Sequence, residues 1–234
     1  DFKFLSPISK KIFDREALLG VSITGWMNQP DILFNPKVLE KGAKIVKEVN
    51  REVAAIIGIN AAARTTCVKP SGNASVLLQT ASGIHAEHSP MYIRNVQMNK
   101  ESEVTQAIIK SNPYMAEESV WSASGTDVVV SFPIIPHKGS MMKDDLLGVD
   151  HLEKVKLAQK HWVVAGTNEE LCADKGIRHN VSNTIIVDDW DKVESYVFKN
   201  RDAFAGISFL SMFGDKDYNQ APNTAVIDSK TMAK

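Results

Sequence analysis

The chain has 234 residues, 44% of them hydrophobic, enough to bury a substantial core in one or two domains. With 27 Lys and Arg against 28 Asp and Glu the net charge is −1, which excludes a broad cationic footprint for nucleic acid and makes any phosphate recognition local. Cys67 and Cys172 lie far apart with no Cys-x-x-Cys, no stretch is as long as a membrane span, and "DFKFLSPISKKIFDREA" is not a signal peptide, so the sequence reads as a cytoplasmic chain without a disulfide framework.

Residues 1–14 read as a flexible lead-in, and the absence of an initiator Met reads as trimming at the front. "LLGVSITGW" (18–26) predicts a buried strand. Asn35-Pro36 supplies an N-cap and a first-turn proline for a helix over 36–57 that stops at Gly58. Its Leu39, Val46, Val49, Val53, Ile56 and Ile57 recur at three- and four-residue steps and predict one inward stripe. "MYIRNVQM" predicts a strand, 101–111 a helix ended by Asn112-Pro113, and "TDVVVSFPI" (126–134) another strand. Asp150 is the expected cap of a helix to Ala165, with Gly166 ending it and Thr167 opening a second helix to Gly176. "NVSNTIIV" (180–187) predicts a strand, Asp188 or Asp189 a cap for a helix through Ala203, and "GISFLSM" (206–212) a last strand. Segments 112–126 and 135–149 read as excursions and 224–234 as a tail. Strand–helix alternation predicts a single α/β domain over 1–234 with mostly parallel pairing, as a barrel or an open wound sheet.

"RTTCVKPSGNASVLLQTASGIH" (64–85) carries the strongest chemical signal. It reads as a strand, a polar turn and a helix over 74–80 stopped near Gly83. Free N–H groups at a helix start bind anions, Gly72 permits positive φ, Ser71 or Asn73 can cap, and the Ser71 and Ser75 hydroxyls can add donors. An ordinary capped turn remains the alternative, because neither a Walker loop nor Gly-x-Gly-x-x-Gly is present. His85, Glu87 and His88 crowd into "SGIHAEHSP", but without paired cysteine ligands the segment reads as a polar loop and no metal site is expected. Cys67 and Cys172 read as small buried hydrophobes, and Trp162, Trp190 and Tyr196 as core. "RHNVSNT" puts Asn180, Ser182 and Thr184 on one strand face, either a wet pocket wall or a solvent face.

In order, "GVSITG", the long helix, "RTTCVKPSGNASVLLQTASGIHAEHSPMYIRNVQMNKES", "VVVSFPI", "HNVSNTIIVDDW" and "ISFLSMFGDKDYNQAPN" resemble the C-terminal half of the catalytic barrel of ribonucleotide reductases, specifically the adenosylcobalamin-dependent (class II) type. That family's pattern runs approximately KPSGT-S, SSGIH, YIRRV, SFL and Q-AP, and the likeness spans roughly residues 15 to 223. Asn73 stands where Thr is usual, which leaves capping intact, and Ala86-Glu87 replaces a more basic or proline-containing stretch.

The resemblance implies a ten-stranded α/β barrel of which this chain supplies the later strands and their helices, with extra loop excursions. It implies that Ser71, Gly72, Asn73, Ala74 and Ser75 hold the phosphates of a ribonucleotide substrate, with Ser82, Gly83 and Ile84 near it. It places adenosylcobalamin in the complete enzyme, with none expected on this chain alone. The family's Asn-x-Cys-x-Glu segment is absent, Cys67 and Cys172 match none of its catalytic cysteines, and no terminal cysteine pair occurs. No catalytic residue is therefore assigned, and the isolated chain is expected to be inactive. The sequence reads as a split or truncated reductase portion needing the remaining reductase polypeptide, or self-association. A stand-alone phosphate- or nucleotide-binding module is the alternative, and a structural half-barrel within an oligomer a third reading. No direct nucleic-acid or membrane partner is expected.

Overall fold

The computed structural model describes residues 4–72, 74–213 and 218–226. In chain order its elements begin with α1 (Pro7–Glu16), β1 (Val21–Ser22), α2 (Pro30–Leu33), α3 (Pro36–Ile57), β2 (Thr66–Cys67), α4 (Ala74–Leu77) and β3 (Tyr92–Asn99). They continue with α5 (Glu103–Ser111), β4 (Ala116–Glu118), β5 (Asp127–Ile134), α6 (Gly148–Ala158), β6 (Thr184–Val187), α7 (Trp190–Lys199), β7 (Ser208–Ser211) and β8 (Asn223–Ala225).

The front of the chain is more ordered than its composition predicts. Ser6 caps α1 by accepting the Ser9 N–H at 3.2 Å, so a helix occupies much of the expected lead-in. The expected strand over 18–26 shrinks to two residues because Gly25, at φ +74°, turns the chain and sends Trp26 and Met27 into the core. Helix α3 starts and stops as the capping signals predict, with Asn35 Oδ1 accepting the Lys37 N–H and Gly58 left-handed at φ +74°. Its inward stripe is narrower than predicted. Leu39, Ala43 and Ala54 are buried and Val46 partly so, but Val49, Val53, Ile56 and Ile57 are exposed. The inner face is chosen by fit: a Cβ at Gly42 would sit 3.3 Å from Trp162, so small residues set the approach.

Strands β1 and β2 pair in parallel, as do β6 and β7, and a parallel bridge from Val68 to Val181 links the two pairs. The largest sheet is antiparallel, in the order β4-β5-β3-β8, which corrects the expectation of mostly parallel pairing. Apolar runs such as Val128-Val129-Val130 read alike in either direction. The connection decides, and after α5 the chain doubles back through Asn112-Pro113 and β4, returning β5 against β3. The excursion at 112–126 thus contributes a strand, and the first residues of the expected tail belong to β8. Among the described residues the fold is mixed α/β, with small sheets that do not close.

Helix α6 opens at Gly148, so Asp150 lies in its first turn and is not the cap. It continues as a π-helix over Gln159–Val164. The Thr66 hydroxyl donates to the Trp162 carbonyl at 2.7 Å, and the Gly166 N–H reaches the same oxygen at 3.0 Å. The expected 167–176 helix is reduced to a 3-10 turn at Glu169–Leu171. Asn168, held by the Ala62 carbonyl and by Arg51, ties this segment to the core in place of a helical ladder. Along β6 and the residues before it, Val181, Asn183, Ile185 and Val187 are buried while Asn180, Ser182 and Thr184 lie on the more open face. Asp189 caps α7 by accepting the Lys192 N–H. Trp162 is core, Tyr196 packs partly buried against it, and Trp190 is exposed edge-on to Phe209. Among the described residues no helix is long and apolar enough to cross a membrane.

Candidate functional site

The loop after β2 is fixed from both sides by short polar groups. The Lys69 N–H donates to Ser22 Oγ at 2.9 Å and the Ser71 N–H to Ser82 Oγ at 3.0 Å. Thr24 is the pivot: its hydroxyl donates to the Ala81 carbonyl and accepts the Gly83 N–H, both at 2.9 Å. With its one proton spent on Ala81, Thr24 receives the Ser71 hydroxyl, 3.1 Å away, as donor. Gly83 sits at φ +57°, where a Cβ would lie 2.9 Å from the Lys69 carbonyl oxygen. Only glycine lets the two limbs of the loop touch here.

Behind this loop Asn28 is buried and uses its whole amide. Oδ1 accepts from Thr80 Oγ1 and the Ala81 N–H, each at 2.7 Å, while Nδ2 donates to Glu87 Oε1 at 2.7 Å and Ser140 Oγ at 2.9 Å. Glu87 is itself buried and takes a second donor, the Tyr92 hydroxyl, at 2.7 Å. Burial, with Glu87 adding to it, pushes the Tyr92 phenol well above its ordinary range, so it remains a donor. Asn28→Ala is expected to cost about 2 kcal/mol, because it strands a buried amide and one carboxylate oxygen. A urea midpoint unchanged from the parent chain would show that this network does not hold the loop.

The loop forms one wall of a cleft of about 390 Å³. Gly72, Ser75 and Ser82 line it, facing His85, His88, Arg94 and Lys143. Lys143 Nζ lies 3.4 Å from the His88 ring nitrogens. Burial pushes His85 down, against the raising effect of its 3.0 Å contact with the Ser82 carbonyl. His151, below the cleft, reaches the Ile84 carbonyl through Nε2 at 3.1 Å, and burial followed by the neighbouring His85 pushes it down to about 4. It is therefore a neutral donor that holds the 82–85 turn. An arginine and a lysine over a glycine–serine loop form a wall suited to an anion.

The expected residues do not all face this space. Gly72, Ser75 and Ser82 do, although the Ser75 hydroxyl donates to the Gly72 carbonyl. Ser71 is committed to Ser82 and Thr24, and the Ala74 N–H turns back to the Ser71 carbonyl. Gly83 lies behind the wall, and the Ile84 side chain is in the core. Asn73 lies outside the described residues. Helix α4 is a single turn, shorter than the predicted 74–80. Sequence reasoning missed Thr24, Asn28, Arg94 and Lys143, which come from three separate segments. Arg94 alone left a trace, as the one basic residue in the apolar-rich "MYIRNVQM". Of the crowded trio, Glu87 turns to Asn28 and Tyr92, His85 to Ser82 and His88 towards Lys143. Cys67 and Cys172 are free and half-buried, and burial pushes both thiols up.

No protein-family model matches the chain. A probable adenosylcobalamin-dependent ribonucleoside-triphosphate reductase of Dictyostelium discoideum is 28% identical over 161 residues, covering 67% of this chain and 21% of the relative. An adenosylcobalamin-dependent ribonucleoside-triphosphate reductase of Euglena gracilis is 23% identical over 157 residues, covering 66% of this chain and 21% of its own. The curated relatives are cobalamin-dependent reductases. In fold, the crystal structure of a B-12-dependent (class II) ribonucleotide reductase matches 97% of this chain with a TM-score of 0.74 and 19% identity, over 34% of its own length. The chain spans about a fifth of the length of the curated relatives it matches, 21% in each case.

Proposed function

We propose that the chain is a portion or split subunit of a ribonucleotide reductase, converting ribonucleotides to deoxyribonucleotides, and that it contributes the loop that holds the substrate phosphates. The observation that carries this reading is the cleft in which Gly72, Ser75 and Ser82 face Arg94 and Lys143. Residues 71–75 would form the wall against which the phosphates lie, and because the Ser71 and Ala74 N–H groups and the Ser75 hydroxyl already donate within the protein, the two cationic side chains would carry most of the recognition. Ser82, Gly83 and Ile84 would shape the neighbouring turn, held by Thr24 and His151.

In this reading the chain forms the later strands of a ten-stranded barrel. Strand β7 leaves Phe209 and Leu210 exposed, and natural sheet edges of that kind are ordinarily covered. The remaining reductase polypeptide would cover it and would bring the catalytic cysteines. The two thiols of this chain do not fit the radical role: Cys172 faces the carbonyls of Ala63 and Asn168, and neither lies in an Asn-x-Cys-x-Glu context. Adenosylcobalamin, on which the named relatives depend, would supply the radical chemistry when bound in the complete enzyme.

Calorimetric titration of the chain with ADP and ATP is expected to show binding that Lys143→Ala weakens about tenfold, the loss of one charge-assisted contact. Nucleotide found elsewhere, with affinity indifferent to Lys143, would overturn the phosphate reading. Turnover of a ribonucleotide by the purified chain with adenosylcobalamin and a dithiol would overturn the need for a partner.

A further inference from the structure

His85 and Lys143 line both the cleft and a smaller cavity of about 160 Å³ that His151 also walls. One contact sets the tautomer of His85. Its Nδ1 lies 3.0 Å from the Ser82 carbonyl, which can only accept, so Nδ1 carries the proton of the neutral ring. Nε2 is then a bare lone pair. It has no hydrogen-bond partner among the described residues, and it is not closed off from solvent. An ionised phosphate oxygen has nothing to offer such a nitrogen, because both atoms are acceptors. A proton between them turns that repulsion into a charge-assisted hydrogen bond.

The groups around His85 decide when that proton is present. Glu87 and His88 come from its own loop, Tyr92 and Arg94 from β3, Lys143 from the turn before α6, and His151 from α6. Glu87 is engaged by Asn28 and Tyr92. His151 packs edge-on against His85 with the ring centroids 6.3 Å apart, and its Nε2 is spent on the Ile84 carbonyl. Arg94 and Lys143 bring two positive charges to the same space. Burial holds His85 below its ordinary value, so before an anion binds the ring is neutral at about pH 7.5. An anion reverses the balance. The setting that disfavours a lone imidazolium strengthens its pairing with a phosphate. We propose that His85 takes up one proton from water when the terminal phosphate of a nucleotide enters the cleft, and that its Nε2–H binds that phosphate as a third cation beside Arg94 and Lys143. The site thus takes a fully ionised terminal phosphate together with a proton, and its affinity falls as pH rises. This rests on the phosphate reading of the cleft and adds the residue that responds to the charge of the ligand.

Calorimetric titration of the full chain with ADP at about pH 7.5, in buffers of contrasting ionisation heat, reads the uptake directly. About half a proton or more per ADP is expected, with affinity falling about fivefold between about pH 7 and pH 8.5. His85→Gln keeps a donor for the Ser82 carbonyl and should abolish both the uptake and the slope, whereas His88→Gln should retain them. Nitrogen NMR of the parent chain, with His85 assigned from the signal that His85→Gln loses, follows the ring itself and decides even if that variant no longer binds. On addition of ADP, Nε2 is expected to move to its protonated position. Failure of ADP to bind at any pH would overturn the phosphate reading and this inference together. Binding without proton exchange, exchange that persists in His85→Gln, or a His85 ring that stays neutral in the complex would overturn this inference alone.

Discussion

Arg64→Ala is expected to lower the stability of the fold by about 3–5 kcal/mol, the loss typical of breaking a buried ion pair from one side. Arg64 and Glu16 are both buried, and Nη1 donates to Glu16 Oε2 at 2.5 Å. The same guanidinium reaches the carbonyls of Ile177 at 2.8 Å and Asp174 at 3.2 Å, so it joins α1, the start of β2 and the 174–177 turn. Alanine leaves the buried carboxylate with only the half-exposed Arg15 as a neighbouring cation, and takes a donor from the carbonyls of Asp174 and Ile177. At this chain length each kcal/mol moves the melting temperature by roughly 2–4 °C, so a drop of about 6–20 °C should be read in a thermal melt. A drop below about 2 °C would show that the pair is dispensable. Burial pushes the Glu16 carboxyl up, but Arg64 and Arg15 outweigh it and hold the group below its usual value. Its stabilising effect is present above the unfolded carboxylate value and is lost as pH falls through the lower, folded one.

The second large effect is a loss of stability on mild acidification, and it centres on His151. This imidazole titrates near 6.5 when the chain is unfolded and at about 4 when folded, because burial and then His85 disfavour its charged form, with Lys154 adding to them. Between those values the unfolded chain binds the extra proton. Stability is therefore complete above about pH 6.5 and falls as pH drops towards 4, by on the order of 3 kcal/mol for this one group. His85 and His179, both also pushed down by burial, act in the same direction. His151→Gln keeps a donor for the Ile84 carbonyl and removes the titration, so its urea midpoint should vary distinctly less between pH 7 and pH 4.5. Equal slopes for the two proteins would place the acid sensitivity elsewhere.

Elements governed by a local rule were legible in the residues. Asn35-Pro36 and Gly58 bound α3, Asp189 opens α7, and the alternation through 180–187 separates the buried and open faces of β6. Where a distant hydrogen bond overrides the local preference, the sequence misleads. Asn168 is drawn to Ala62 and Arg51, so the helix expected after Thr167 does not form, and Thr66 reshapes the end of α6 from a strand about a hundred residues earlier. The polar turn at 70–75 and the Ser82-Gly83 break stood out because serine and glycine next to apolar runs demand a backbone explanation. Thr24, Asn28 and Lys143 did not stand out, since each is a lone polar residue until folding brings it to the loop. The outward half of α3 was misread for a related reason. Periodicity reports that a face is apolar, and it does not say what covers it.

The bridge between Val68 and Val181 also has a consequence in time. Strand β2 can meet β1 soon after both emerge from a ribosome, but its other edge waits for a residue more than a hundred positions downstream. At synthesis rates of about 5–20 residues per second, that edge stays open for roughly 5 to 25 s. Meanwhile β3, β4 and β5 all lie within residues 92–134 and can pair as soon as β5 has emerged. The antiparallel sheet is thus complete but for β8 while the parallel strands are still waiting for each other. A nascent chain stalled in that interval presents an unpaired strand and half a core, which is the state that chaperones bind.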